Sequence, residues 1–390
     1  MPLSHLRVLD LTQVRAGPTC TKILADFGAE VIRIERPGEP DRAREPFDAV
    51  DLQRGKKSIL LDLGKPAGLE VLHRLVPSAD VVVENFRPGV KHRLGIDYDR
   101  LSRLNPRLIY ASISGFGQSG PYADRPGYDQ IVQGMSGLMS VTGTDTTGPL
   151  RIGIPIGDLL AGYFAAMGIL VALAERERSG RGQWLDTSLL AALAGSLSFQ
   201  AGKYLNTGKV PPPVGNHHPL TSPMGVYRAR DGHLNLAVGS EVMWRRFCEA
   251  IEHPELAADP RFASNQARID NRPALNAVIE AIFAGASTAE WVERLNAAGV
   301  ACGPIYDVGQ VFADPQVAEL RLVREVRHPV HGPVRVLGLP VSLHRTPAKV
   351  TAPSPLPGQH TREVLGTAGY AAAAIERLLA EGVAAETPLP

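Results

Sequence analysis

The chain has 390 residues, 44% hydrophobic and 21% charged, the balance of an ordinary soluble globular protein with length for two or three domains. Forty-one Lys plus Arg against 40 Asp plus Glu leave a net charge of +1, which gives no global electrostatic reason to bind nucleic acid or a membrane surface. Three scattered cysteines, Cys20, Cys248 and Cys302, exclude a disulfide framework and a cysteine metal site, and they fit a reducing, cytoplasmic compartment.

The opening MPLSHLRVLDLT lacks a basic stretch followed by an apolar one, so no signal peptide is expected. LRVLDLT (Leu6–Thr12) reads as a strand, GPTCTKILADFGA as a helix opening after Gly17-Pro18, and EVIRIE as a second strand. The natural product is a parallel strand pair with a right-handed crossover. SILLDL (Ser58–Leu63), a helix around Gly68–Leu75, then ADVVVENF and LIYASISGFG continue the alternation. Runs such as VVV suit strands covered on both faces, and a doubly wound α/β domain follows. Neither GxGxxG nor GxxxxGK[ST] occurs, so no dinucleotide or P-loop fingerprint is present. Loops at strand ends remain the expected ligand sites.

Between Ile152 and Ala174 the only charged side chain is Asp158. It follows a Pro-Ile-Gly break and opens a helical pattern that runs through Arg178. Two readings fit. The carboxylate is a helix N-cap, or it is a nucleophile kept ionised by the helix end in a dry cleft. The uncharged run Leu159–Ala174 falls short of the ~20 residues that span a bilayer, and a helix apolar all round implies burial in a large protein. GQWLDTSLLAALAGSLSFQ then reads as a strand leading into a helix. From Lys209, VPPPVGNHHPLTSPMG is a proline-rich connection, followed by a hairpin turning at Asp231-Gly232 and helices around Val242–Ile251, Ala274–Phe283 and Ala289–Ala298. VREVRHPVHGPVRVLGLPVSL is strand-like, and a proline-rich link, PAKVTAPSPLPGQH, precedes a helical tail. The expected division is a large α/β domain over 1–208, a linker over 209–225, a small α+β domain over 226–325, and a return to the large domain over 326–390.

The chemistry-bearing residues narrow the field. His217-His218 have no partner at metal-ligand spacing and HEXXH is absent, so no metal is expected and the pair suits a polar loop or a substrate pocket. No Gly-x-Ser-x-Gly elbow is found, and Cys20 reads as a core residue. Arg15, Arg36, Arg87 and Arg93 follow successive predicted strands, where a doubly wound sheet collects its ligand. Their shared location points to a phosphate-bearing ligand. Phe86, beside Asn85, either stacks on a base or plugs the core.

Taken in order, VLDLTQVRAGPTCTKILADFGAEVIRIERPG, KKSILLDL, ADVVVENFRPGVKHRLG, LIYASISGFGQSGPYADRPGYD, SGLMSVTG, IGIPIGDLLAGYFAAMGILVALAERERSGRGQWLDTSLL, GNHHP, DGHLNLAVGS, AGVACGPI and PGQHTREVLG resemble the CaiB/BaiF group, the class III CoA transferases. The resemblance spans nearly the whole chain. It implies a Rossmann-like large domain with a smaller α+β domain, in an interlocked homodimer of two ring-like chains. The active site would lie where one subunit's large domain meets the other's small domain. It implies Asp158 as the catalytic residue, carrying CoA as an aspartyl thioester, and no tightly bound cofactor, with coenzyme A or acyl-CoA as substrate. Contacts to CoA are implied for Arg15, Ala16, Arg36, the turn Leu61, Asp62, Leu63, Gly64, then Asn85, Phe86, Arg87, Arg93, and Gly127, Tyr128, Asp129. Implied partners are acyl-CoA, a small carboxylic acid and a second copy of the chain, with no nucleic acid and no membrane.

Two positions depart from relatives. Gly64 stands where some carry a lysine and Lys65 follows, so that phosphate contact shifts by one residue or is lost. Tyr128 stands where the family's acyl-CoA racemases carry a histidine, and proton removal and return across a carbon needs two acid/base groups. Transfer from an acyl-CoA to a free acid is therefore the expected reaction; racemisation and non-catalytic CoA binding are the alternatives. Arg15 and Arg151, with His217 and His218, are candidates for a second carboxylate, which suggests a succinyl-type donor or acceptor.

Overall fold

The computed structural model describes residues 1–38 and 46–387. The chain divides into two compact units, one of residues 1–139, 151–209 and 318–390, the other of 140–150 and 210–317.

The first unit is built on one sheet. Its strands, numbered along the chain, are β1 (Arg7–Asp10), β2 (Glu30–Glu35), β3 (Lys57–Leu61), β4 (Val81–Glu84), β5 (Ile109–Ser114), β8 (Trp184–Ser188) and β14 (Ala384–Ala385). They lie in the order β14-β3-β2-β1-β4-β5-β8, every neighbour parallel except β14, which runs antiparallel to β3. The connections carry α1 (Ala16–Asp26), α2 (Pro46–Gln53), α3 (Pro66–Leu75), α4 (Pro88–Leu94), α5 (Tyr98–Leu104), α6 (Asp129–Met135), α7 (Ile156–Ser179), α8 (Leu189–Gly195) and α9 (Ser198–Thr207).

Alternate strand residues turn to opposite faces. Val8, Val81, Val83, Ala111 and Ile113 pack into a core shared with α1, α7 and α8. Leu9, Ile32, Ile59, Val82 and Tyr110 pack into another, shared with α3 and the C-terminal helices Thr361–Thr367 and Ala372–Ala380. Both faces are covered, which is why the strands read as apolar runs.

One helix crossing positions the site. A Cβ on Gly162 would lie 2.6 Å from the Ala16 carbonyl oxygen and 2.9 Å from Thr19 Cβ, so only glycine lets α7 cross α1 this closely. Asp158 lies one turn before Gly162, at the end of the stripe that continues through Ala165 and Ile169. The stripe is buried, but the opposite side of α7 is not: Tyr163, Phe164, Met167 and Val171 are exposed. Within the single chain, α7 is therefore buried along one face. At 24 residues α7 is also long and apolar enough to cross a membrane, because its ends extend beyond the uncharged run.

The second unit holds the short pair β6 (Gly143–Thr144) and β7 (Gly148–Pro149), and the antiparallel sheet of β9 (Met224–Arg228), β10 (His233–Ala237) and β11 (Ala301–Pro304). The hairpin turning at Asp231-Gly232 is β9–β10. Helices α10 (Glu241–Ala250), α11 (Asn265–Asp270), α12 (Arg272–Phe283) and α13 (Thr288–Ala297) bury Trp244, Phe247, Phe283 and Trp291 against it. Back in the first unit, β12 (Val323–His328) and β13 (Gly332–Leu337) form a hairpin whose Val326, Val334 and Val336 pack on Val50 of α2. The strand-like reading through Val341–Leu343 stops at Leu337.

Candidate active site

The direction of strand succession reverses between β1 and β4, and the loops leaving the carboxyl ends of these strands open a crevice there. Asn85 ties the two loops together: its Oδ1 accepts the Gln13 N–H at 2.9 Å and its Nδ2 donates to the Gln13 carbonyl at 2.7 Å. Two clefts share this wall. One of about 340 Å³ is lined by Val14, Arg15, Arg87, Arg125, Tyr128 and Asp158 among others, and one of about 400 Å³ by Arg36, the turn 61–64 and Arg93; Gln13, Phe86 and Val90 border both. Val14 has φ +65°, a region a β-branched residue rarely enters, in the loop that presents Arg15.

Asp158 is the third residue of α7, after Pro155 at the N-cap position, which has no side chain able to cap. The N-cap reading is thus corrected: the N-cap is Pro155, three residues earlier than the charge pattern suggested. The cap acceptor comes from elsewhere. Asp129 Oδ1 accepts the Gly157 N–H at 2.7 Å, and Asp129 Oδ2 accepts Gln133 Nε2 at 2.7 Å with Arg151 Nη2 at 3.7 Å. Among the described residues, the Asp158 carboxylate accepts no hydrogen bond and joins no ion pair. Burial, then the negative charge of Asp129, push its carboxyl up to about 6, with Arg15 pulling the other way.

Arg15 precedes α1, grips Asp48 of α2 through a paired contact of 3.0 and 2.5 Å, and borders the first cleft. Ala16 is the buried first residue of α1. Gly127 is held against the end of β5, since a Cβ on it would lie 2.5 Å from the Gly115 Cα; the exposed Tyr128 follows it. Phe86 packs on the sheet core and still borders both clefts, so its two readings coexist. Arg87 reaches the Asp124 carbonyl at 3.4 Å.

In the second cleft Arg36 lies 3.7 Å from Asp62, and the exposed Arg93 has no ion-pair partner among the described residues. Lys65 is turned away: its Nζ donates to the Glu381 and Gly382 carbonyls at 2.7 and 3.1 Å. His217 and His218 border a different cavity, of about 600 Å³, inside the second unit. His217 Nε2 meets Asn276 Nδ2 at 3.1 Å, and burial lowers the His217 pKa. Among the described residues, no group of three or more His, Cys, Asp or Glu is arranged to hold a metal.

Sequence reasoning missed Gln133, Asp48 and Arg125. Buried Gln133 accepts the Ile152 N–H at 2.9 Å and donates to the Ile154 carbonyl at 3.2 Å, fixing the approach to α7. Arg125 stacks on Tyr122 at 3.8 Å in the cleft wall. Arg125 alone carried a visible signal, a basic residue in the loop after a predicted strand.

The model of a known family, CoA-transferase family III, matches residues 3–361. The chain belongs to CoA-transferase family III. This family III chain is 39% identical to the succinate–glutarate CoA-transferase of Agrobacterium fabrum, over 93% of this chain and 95% of that one. It is 37% identical to the succinyl-CoA:glutarate CoA-transferase of Mus musculus, over 98% and 90%. A solved CaiB/BaiF family protein from Brucella suis is 36% identical, with a TM-score of 0.85 over 94% of this chain and 99% of that one. The resemblance seen in the sequence segments and the α/β fold expected from them both hold, and this family III member is an enzyme, a CoA-transferase.

Proposed function

We propose that this enzyme moves CoA from an acyl-CoA donor, succinyl-CoA first among the candidates, to a free carboxylic acid, with Asp158 as nucleophile. The observation that carries the proposal is a partly buried carboxylate with no partner among the described residues, in the wall of a cleft at the reversal point of the sheet. A carboxylate with a raised pKa is a stronger nucleophile once ionised, and near neutral pH it is ionised. An Asp158 oxygen attacks the donor carbonyl carbon, the C–S bond breaks, and CoA thiolate leaves a mixed anhydride. The thiolate then attacks the Asp158 carbonyl carbon, expelling the donor acid as a carboxylate and leaving an aspartyl-CoA thioester. The acceptor carboxylate attacks that thioester and releases the thiolate, which captures the acceptor acyl group and restores Asp158. No step is a hydrolysis, so the thioester's energy is conserved. Backbone N–H groups, with a helix end, are the donors that would stabilise the developing oxyanions.

CoA lies along the shared wall of the two clefts. Arg36 and Arg93, with the backbone of Leu61, Asp62, Leu63 and Gly64, take phosphate oxygens, a task Lys65 is turned away from. Arg15, Ala16, Asn85, Phe86, Arg87, Gly127 and Tyr128 border the path to Asp158. The relatives named for succinate and glutarate support a short dicarboxylate as donor or acceptor, with Arg15 and Arg151 as the candidate cations for its distal carboxylate, beside Arg87 and Arg125 of the cleft wall. The exposed apolar side of α7 supports a second copy of the chain, in an interlocked homodimer, as its cover. The enzyme works in the cytoplasm, where its three cysteines stay reduced.

The test is incubation with succinyl-CoA and a panel of carboxylic acids, read by mass spectrometry. New thioesters are expected, with C4–C5 dicarboxylates fastest. Exchange of the α-hydrogen for deuterium without CoA transfer would mean a racemase, and CoA binding with neither reaction would mean a non-catalytic binder.

A further inference from the structure

We propose that Asp129 is a positioning residue for Asp158: it occupies the backbone donor at the start of α7 and so keeps the nucleophile's oxygens free. The first turn of a helix carries N–H groups without intrahelical partners, and an acidic side chain in that turn is their natural acceptor. Asp158 stands in that turn and is not so used. Pro155 has no N–H; the Ile156 N–H goes to the Ile154 carbonyl at 2.8 Å; the Gly157 N–H goes to Asp129 Oδ1 at 2.7 Å. A carboxylate bound to a backbone N–H would have a filled lone pair and a lower basicity, both adverse to attack on a thioester.

Asp129 is itself immobilised. It is 8% exposed, and its second oxygen holds the Gln133 amide at 2.7 Å, with Arg151 3.7 Å away. Gln133 grips the Ile152 N–H and the Ile154 carbonyl, so α6 and the approach to α7 form one hydrogen-bonded assembly. The charged groups around Asp158 are Asp129 from α6, Arg15 with its partner Asp48 of α2, Arg151 before α7, and Arg87 and Arg125 in the cleft wall; α8 adds the apolar Leu189. Asp129 is the negative neighbour that raises the Asp158 pKa, after burial itself.

This inference rests on Asp158 as nucleophile and competes with a role for Asp129 as a CoA contact. Asp129→Asn keeps an oxygen for the Gly157 N–H and removes the charge, at the loss of the bond from the Gln133 amide, whose Nε2 then faces the Asn NH2. The acidic limb of the pH–rate profile for the first half-reaction should then move down by about one pH unit, with KM for acyl-CoA within about twofold of wild type. Asp129→Ala exposes the Gly157 N–H to Asp158 and should lower the rate at saturating acyl-CoA by about 10–100-fold, most of it regained by Asn. An Asp129→Ala rate at saturating acyl-CoA within about twofold of wild type overturns the inference, and a raised KM in Asp129→Asn makes Asp129 a CoA contact. Should Ala prevent folding, Asp129→Leu, which fills the side-chain volume without an acceptor, is read the same way. Wild-type enzyme that traps no CoA thioester on Asp158 sinks the underlying reading instead.

Discussion

Asp10 and Asp158 belong to the same unit, and their surroundings are opposites. Asp10, at the end of β1, is fully buried and accepts the Thr12 N–H at 3.0 Å, the Thr12 hydroxyl at 2.5 Å, the Thr21 hydroxyl at 2.6 Å and Lys56 Nζ at 3.0 Å. Burial alone would raise its carboxyl pKa, but the Lys56 ammonium and the hydrogen bonds from Thr12 and Thr21 bring it below the usual range. Asp158 meets the burial penalty with nothing but the field of Arg15 against it. A carboxylate wrapped in donors holds a fold together. One kept bare beside a second negative charge is poised to react, and the fold bears the cost.

Replacing each by alanine should separate the two roles. Asp158→Ala should lower CoA transfer by on the order of 10⁴-fold or more while the chain folds and binds CoA. Asp10→Ala strands the Lys56 ammonium in the core and should destabilise the protein by about 3–5 kcal/mol, seen as a lower midpoint of urea unfolding. Equal loss of stability in both variants would erase the contrast.

Because the folded pKa of Asp158 is raised from 3.8 to about 6, folding is unpenalised below about pH 4, where the carboxyl is protonated folded and unfolded alike. Stability is then lost as pH rises through 6. Asp158→Asn should stabilise the protein by about 2 kcal/mol at pH 7.5 and by nothing at pH 4. Asp10 has the opposite sign, its contribution being lost as pH falls below the ordinary carboxylate range. Thermal unfolding of the wild type and both variants across this window checks the pair.

The smallest effect lies in the second cleft. Arg93→Ala should raise KM for acyl-CoA about 10-fold with kcat unchanged, whereas Lys65→Ala should leave KM within about twofold, since Lys65 is spent on the Glu381 and Gly382 carbonyls. The reverse ranking would restore the lysine as the phosphate ligand.

Much of this was legible in the sequence. VVVE and IYASIS declared a sheet buried on both faces, and a lone carboxylate in 23 apolar residues marked Asp158. What escaped depends on contacts between elements distant in sequence. The Asp129–Gly157 bond joins residues 28 apart, and the Arg15–Asp48 pair residues 33 apart. The unbroken apolar character of α7 carried no periodic signal to say which side the sheet would cover. The helix start was misplaced because Asp158 resembles a cap, while the real acceptor for that turn is on α6.

The most direct measurement is peptide mass mapping of the enzyme quenched during reaction with succinyl-CoA. We expect the CoA thioester, or its borohydride-reduced or hydroxylamine product, on the peptide containing Asp158, and none in Asp158→Ala. Full transfer activity with no adduct on that peptide, or an adduct on another carboxylate, would contradict the account.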